Sequence, residues 1–363
     1  MKINEIHIHQ LELPLRAPYR VSFRTYTALE PIVVEMRGEN GETGWGEAYI
    51  PPGSTVETPE SGWAFCMRQA AQLRGLTAAA AKQALHPHID SAPFASTALL
   101  TAIAMLERHP ALAVDKEARI PLLVPIAGKT RPAIADEVEA LLDAGYRTLK
   151  VKAGWNVDDD LARVDAVQDA LAARGEITID ANRGYDMEQG CRFASSLDPQ
   201  GIALFEQPCE ADAWEANAAV AKVSRVPLML DESIRNAADI ERAAAMEGVE
   251  LVKLKVKRLG GIERAIAAMR LAQDAGLGVC LGDGVATEIL CWMEASIGRP
   301  FLRRAGDMNG FLKPKVRLFA DPLVFDRGAI VLKPGFWPEI DRAVLKSHRL
   351  RTERIAPAVA AAS

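Results

Sequence analysis

From Pro121 onward the chain alternates between two kinds of segment. Short apolar runs read PLLVPIAG, RTLKVKAG, ITIDAN, IALFEQP, PLMLDES, ELVKLKV, GVCLGDG and, more weakly, FLRRAGDMNG. Amphipathic stretches such as DDDLARVDAVQDALAARG and GIERAIAAMRLAQDAG separate most neighbours. Runs of this kind at a mean interval of roughly 25 to 30 residues are the repeat of a (β/α)8 barrel. The runs are continuously apolar, as strands covered on both faces must be. A doubly wound sheet is the competing architecture, but no glycine-rich fingerprint follows the first strand.

The N-terminal part obeys a different pattern. KINEIHIHQLELP alternates like a strand, and PIVVEMRGENGETGWGEA reads as a hairpin around Asn40-Gly41. Ala-rich helical segments follow. LRAPYRVSFRTYTALEP and YIPPGSTVETPES read as polar loops. The expected organisation is an α/β chain: an α+β capping domain over 1–112, a (β/α)8 TIM-type barrel over 113–318, and a C-terminal segment, 319–363, that packs back on the cap.

Composition narrows the function classes. With 363 residues and a net charge of −5 the chain carries no electrostatic footprint for nucleic acid or an anionic membrane. No apolar run is long enough to span a bilayer, and MKINEIHIHQ has no signal-peptide core. Five scattered cysteines read as reduced thiols, so a cytoplasmic location is expected. The expected partner is a small molecule.

Asp180, Glu206 and Asp231 each close one apolar run, at nearly equal intervals. A carboxylate at the end of a buried strand is costly unless something neutralises it. In a barrel the strand C-termini converge on one mouth, which gathers Lys150, Lys152, Asp180, Asn182, Glu206, Asp231, Lys255 and Asp283. Three carboxylates with open positions suit Mg2+, with Mn2+ as a substitute. All six histidines lie outside the barrel repeats, so lysines must supply acid and base. Lys150 and Lys152 share one side of their strand, as do Lys253 and Lys255. Crowding among cations is expected to lower their pKa values. Singly, Asp231 reads equally as a helix cap and Asp283 or Asp307 as a turn residue. Lys253 is either functional or an ion-pair partner on the barrel floor.

The motifs GWGEA (Gly44 to Ala48), T-L-K-V-K, D-A-N, E-Q-P, D-E-S and K-V-K-R-L-G-G together resemble the enolase superfamily, and within it the mandelate racemase and muconate-lactonising subgroup. The resemblance covers nearly the whole chain. It implies Asp180, Glu206 and Asp231 as Mg2+ ligands and Lys152 with Lys255 as the acid/base pair. It places Lys150 on the substrate carboxylate, Asn182 behind the ligands, and Glu232 beside the metal rather than on it. The implied partial reaction abstracts the proton α to a carboxylate and forms an enediolate. By resemblance the assembly is a homo-oligomer.

The fate of the enediolate is less constrained. Asp307 and Asn309 stand where dipeptide epimerases have an Asp-x-Asp that binds a substrate ammonium, which favours a racemase or epimerase of an N-acyl, cyclic or dipeptide amino-acid derivative. A dehydratase of a β-hydroxy acid and a muconate-type cycloisomerase are the alternatives. A non-catalytic barrel is disfavoured by the complete set of lysines and acids. In the seventh run Ala286 replaces the Glu of the subgroup pattern, and Lys253 replaces a common Asn. Arg24, Tyr26 and Tyr49 on the cap are candidates for choosing the substrate.

Overall fold

The computed structural model describes residues 1–21, 24–52 and 55–356. The cap begins with β1 (Ile3–Leu11), β2 (Leu13–Val21), β3 (Arg24–Leu29), β4 (Ile32–Gly38) and β5 (Thr43–Ala48), followed by helices α1 (Pro59–Leu73), α2 (Ala78–Leu85) and α3 (Pro93–Leu106). β1, β4 and β5 form an antiparallel sheet. The segment expected to be a polar loop after β1 is instead the hairpin β2–β3, paired from Leu13↔Leu29 to Val21↔Arg24. Residues 53–54 of the second expected loop lie outside the described residues.

The GWGEA motif explains how the cap sheet packs on its own helix α3. A Cβ on Gly44 would meet the Ala102 carbonyl oxygen at 2.1 Å, and one on Gly46 would meet that of Ala98 at 2.1 Å. Only glycine lets β5 pass so close to α3. From Phe94 to Leu106, α3 is buried on every side, packed between the cap sheet and the barrel.

A short strand β6 (Ala118–Pro121) leads into the barrel. The barrel sheet comprises β7 (Val124–Pro125), β8 (Thr148–Lys152), β9 (Glu176–Asp180), β10 (Ile202–Glu206), β11 (Leu228–Leu230), β12 (Val249–Leu254) and β13 (Gly278–Leu281), parallel and adjacent in that order. Between them run α4 (Arg131–Asp143), α5 (Val157–Leu171), α6 (Met187–Ser196), α7 (Trp214–Val223) and α8 (Ala237–Ala244), then the short α9 (Val256–Leu259) and α10 (Ile262–Asp274). All five residues of β8 and of β10 are buried, as the apolar runs required. Helix α11 (Glu288–Gly298) is buried over all eleven residues.

The eighth run does not become a strand. A single parallel bridge, Leu122↔Gly306, stands at its position. Even so it closes the barrel, because Gly306 N donates to Pro121 O at 2.9 Å and Asp307 N donates to Leu281 O at 3.0 Å. Two arginines and a glycine in RRAGD leave too little apolar sequence for a longer ladder.

The chain then forms β14 (Val324–Asp326) and β15 (Ala329–Leu332), which pair with each other, β15 also pairing with β6, and then α12 (Arg342–Ser347). Finally β16 (Arg349–Ile355) joins the cap sheet at the edge of β1. No helix among the described residues is long and apolar enough to cross a membrane.

Candidate active site

Sheet register aligns the first charged residues. Lys152 pairs with Asp180, and Asp180 with Glu206, so three adjacent strands present them side by side at one level. Asp231 follows the last residue of β11, and Lys255 the last of β12. Loops then hold these ends in place. Asp160 Oδ2 accepts from Gly154 N, Trp155 N and Asn156 N within 3.1 Å and from the Tyr185 hydroxyl at 2.6 Å, fixing the turn after β8. The Gln207 amide bridges two strand ends, its Oε1 accepting from Asp231 N at 2.8 Å and Ser233 N at 3.2 Å. Gln207 carries φ 37°, an uncommon backbone state for a residue with a side chain, held here by these bonds.

One cavity at the mouth is lined by Lys150, Lys152, Asp180, Asn182, Asp231, Glu232, Lys253, Lys255, Asp283 and Asp307, with Tyr19, Tyr26 and Phe94 from the cap. The expected set is therefore brought together except Glu206, which does not line the cavity and lies against Lys150 and Lys253. Lys150 Nζ lies 2.8 Å from both Asp180 Oδ2 and Glu206 Oε2. Lys152 Nζ donates to Asp180 Oδ2 at 2.6 Å and to Asn182 Oδ1 at 2.7 Å. Lys255 Nζ donates to Asp231 Oδ2 at 2.8 Å, and Arg258 Nη1 donates to Asp231 Oδ1 at 2.8 Å. Asn182, at φ 44°, turns its amide so that Nδ2 reaches Glu232 Oε1 at 3.4 Å.

The remaining candidates have these partners. The carboxylate of Asp307 is not open toward a ligand: Lys150 lies 3.0 Å away and Lys253 bonds it on the other side. Lys253 also donates to Glu206 Oε1 at 2.9 Å, which makes it a partner on the barrel floor. Asp283 accepts from Val285 N at 3.0 Å, as a turn residue does, and also faces Lys257 Nζ at 2.5 Å. Asn309 Nδ2 donates to Asp307 Oδ1 at 2.8 Å and to Leu123 O at 3.1 Å. Tyr26 and Tyr49 are buried and meet edge to face at 6.2 Å, so they build the cap wall. The Arg24 side chain lies outside the described residues.

Lys150 and Lys152 are also not lowered as expected. Burial alone would push Lys150 and Lys152 down, but Asp180 beside both, with Asp307 and Glu206 beside Lys150, outweighs it and holds them up. The acids divide. Burial opposes charge on Asp180 and Asp231, yet the neighbouring lysines and Arg258 hold them well below the carboxylate range. Glu206 is raised, by burial and by the charges of Asp180 and Asp231. Burial and Asp231 push Glu232 up to about 7.

Sequence reasoning missed Lys257, Arg258, Glu47 and Lys313. Lys257 continues the K-x-K spacing, but β12 stops at Leu254 and α9 carries Lys257 inward. Glu47 of the cap accepts from Thr287 N at 2.7 Å, Leu290 N at 3.2 Å and the Thr287 hydroxyl, and so caps α11 from the other domain.

A model of the enolase C-terminal domain-like family matches residues 133–344, which contain the acids and lysines of the cavity. The chain belongs to the enolase superfamily, in its mandelate racemase and muconate-lactonising subgroup. Among superfamily members, an N-succinyl-L-Arg/Lys racemase of Bacillus cereus is 26% identical over 310 residues, covering 80% of this chain and 82% of the relative. The crystal structure of that racemase superposes with a TM-score of 0.89 at 24% identity, covering 98% of this chain and 100% of the other. An o-succinylbenzoate synthase of Thermobifida fusca is 39% identical over 165 residues, 44% of this chain and 50% of the relative. A dipeptide epimerase of Cytophaga hutchinsonii, solved with Mg and D-Ala-L-Val, superposes with a TM-score of 0.88 at 20% identity, covering 98% and 99% of the two chains. Relatives of this superfamily are racemases, epimerases and cycloisomerases, and this enolase-superfamily chain is an isomerase of that kind.

The donor set suits the divalent cation that superfamily enzymes generally use. Three carboxylates on adjacent strand ends supply hard oxygen donors. Glu206 is fully buried, and its Oε2 accepts no hydrogen bond among the described residues although Lys150 Nζ lies 2.8 Å away, which leaves a hard oxygen donor unused. The barrel acids stand apart, with Lys150 and Lys253 between them. Among the described residues, His7, His9 and Glu35 of the cap are the trio whose ligand atoms all lie within 4.8 Å of one another. Glu35 is already held by Arg342 at 2.6 and 2.8 Å and by Arg37 at 2.7 Å. Those cations make the cap trio a poor cation site.

Proposed function

We propose that this enzyme racemises or epimerises an amino-acid derivative by exchanging the proton α to its carboxylate. One observation carries the proposal. Lys152 on β8 and Lys255 after β12 line a single cavity from strands four places apart in the sheet order, on opposite sides of the barrel. A planar carbanion-like centre between them can lose its proton to one lysine and gain one from the other, which inverts the carbon.

We assign Asp180, Glu206 and Asp231 as the residues that hold Mg2+, with Mn2+ as a substitute. When bound, the ion supplies positive charge where the substrate carboxylate becomes an enediolate. The chain's own residues do the rest. One lysine Nζ takes the α-proton and the C–H electron pair moves into the carboxylate. The second Nζ then delivers a proton to the other face. Lys150 adds positive charge on the carboxylate side, and Asn182 orients Lys152. Phe94, Tyr19 and Tyr26 cover the mouth and exclude water.

Of the named relatives, the Bacillus racemase and the Cytophaga epimerase catalyse inversions, which supports this reading. The o-succinylbenzoate synthase, 39% identical over 44% of this chain, is not an inverting enzyme by its name and keeps a second reading in play, a dehydratase: the same proton abstraction followed by loss of a β-hydroxyl as water. Incubation of the Mg2+-loaded enzyme with N-acyl amino acids, followed by chiral chromatography, tests the first reading. Formation of the opposite enantiomer supports it. An unsaturated product replaces it with the second, and no change in any N-acyl amino acid, cyclic derivative or dipeptide overturns the amino-acid assignment.

A further inference from the structure

The chain fills with its own cations the place where a substrate ammonium would bind. Asp307 is taken by Lys150 and Lys253. Asn309 spends its Nδ2 on Asp307 and Leu123, and its Oδ1 accepts from Lys313 Nζ. Lys313 forms no ion pair among the described residues. Its ammonium lies 4.6 Å above the Tyr19 ring, and burial pushes its pKa down.

The position of Lys313 is built rather than incidental. Its carbonyl accepts from Arg16 N at 2.9 Å, its N donates to Gly310 O at 3.1 Å, and Lys315 N next along donates to Pro14 O at 2.8 Å. These bonds pin it to β2 at the seam between cap and barrel. Gly284, in the cavity wall, leaves a niche beside it. The point where a Cβ would sit there is 3.4 Å from the Tyr19 hydroxyl, 3.6 Å from Asn309 Oδ1 and 3.6 Å from Lys313 Nζ.

The charge of the cavity points the same way. The acids lining it, Asp180, Asp231, Glu232, Asp283 and Asp307, with Glu206 behind them on Lys150 and Lys253, are matched by Lys150, Lys152, Lys253, Lys255, Lys257 and Arg258. Lys313 is a cation beyond that match, and a bound dication would add to it. A substrate with one carboxylate leaves the excess uncompensated, whereas a second anionic group reduces it.

We propose that Lys313 and the Tyr19 hydroxyl form a subsite for a carboxylate-ended arm of the substrate, and that Lys313 excludes arms ending in an ammonium. The inference rests on the amino-acid reading above and narrows it to acyl derivatives with an anionic acyl arm.

Unreactive analogues separate this inference from that reading. α-Aminoisobutyrate has no α-proton, so its N-succinyl, N-butyryl and N-β-alanyl derivatives differ in the charge of the arm and cannot turn over. Binding to the Mg2+-loaded protein is measured by calorimetry. The N-succinyl compound is expected to bind about 10-fold or more tighter than the N-butyryl one, and the N-β-alanyl compound weakest. Lys313→Met should bring the first two within about 3-fold by weakening only the N-succinyl compound. Gly284→Ala should do the same by filling the niche. Its Cβ would sit at ordinary contact distance, so the fold tolerates it. Equal binding of all three compounds, or a preference unchanged in Lys313→Met, overturns the subsite and leaves the amino-acid reading standing. Binding of none of them overturns both.

Discussion

Lys253 Nζ lies 2.9 Å from Glu206 Oε1 at the floor of the barrel, with Asp307 on its other side. The ammonium thus occupies one of the carboxylates we assign to the metal. Lys253→Met should lower the stability of the metal-free protein by about 3 kcal/mol, because a buried acid loses its partner. The same variant should gain more stability from Mg2+ than the wild type does. Denaturant melts with and without Mg2+ check both. An unchanged Mg2+ increment would show that Lys253 does not compete with the ion.

Glu206→Gln removes the central carboxylate of the trio and leaves Lys150 and Lys253 in place. Mg2+ affinity should fall by about 10-fold or more, read by calorimetry, with α-proton exchange falling at least as far. A variant that binds Mg2+ as the wild type does would move the ion elsewhere.

Glu47 links the cap to α11 and gives the protein a pH signature. Burial raises it from 4.5 to about 7, although its three hydrogen bonds oppose the rise. Between those values the folded protein keeps a proton that the unfolded chain has lost, so this contribution to stability falls as pH rises from 4.5 to 7. The size is about 3 kcal/mol. Glu47→Gln cannot titrate, so the slope of stability against pH in that window should flatten in the variant. Equal slopes in urea melts across the window would contradict the assignment.

The barrel and its acids were legible because buried parallel strands must be continuously apolar, and a charged residue at the end of such a run stands out. Asp180, Glu206 and Asp231 are of that kind. The hairpin β2–β3 was not legible, since Pro14 and Pro18 and its exposed polar residues resemble a loop. Asp307 illustrates a different limit. Its position at the mouth could be read, but its partners, Lys150 and Lys253, come from distant strands, and only the closed barrel brings the three together. Lys313 lies past the last apolar run in irregular chain, where no periodicity points to it.

The central claim is that Lys152 and Lys255 each serve one face of the α-carbon. α-Proton exchange in D2O, followed by NMR on the separate enantiomers of an N-acyl amino acid with Mg2+, tests it most directly. The wild type should exchange both enantiomers and interconvert them. Lys152→Ala should exchange one enantiomer without inversion, Lys255→Ala only the other, and each should lose racemisation by about 1,000-fold or more. Racemisation that survives either substitution, or exchange of both enantiomers by both variants, would contradict the two-lysine assignment.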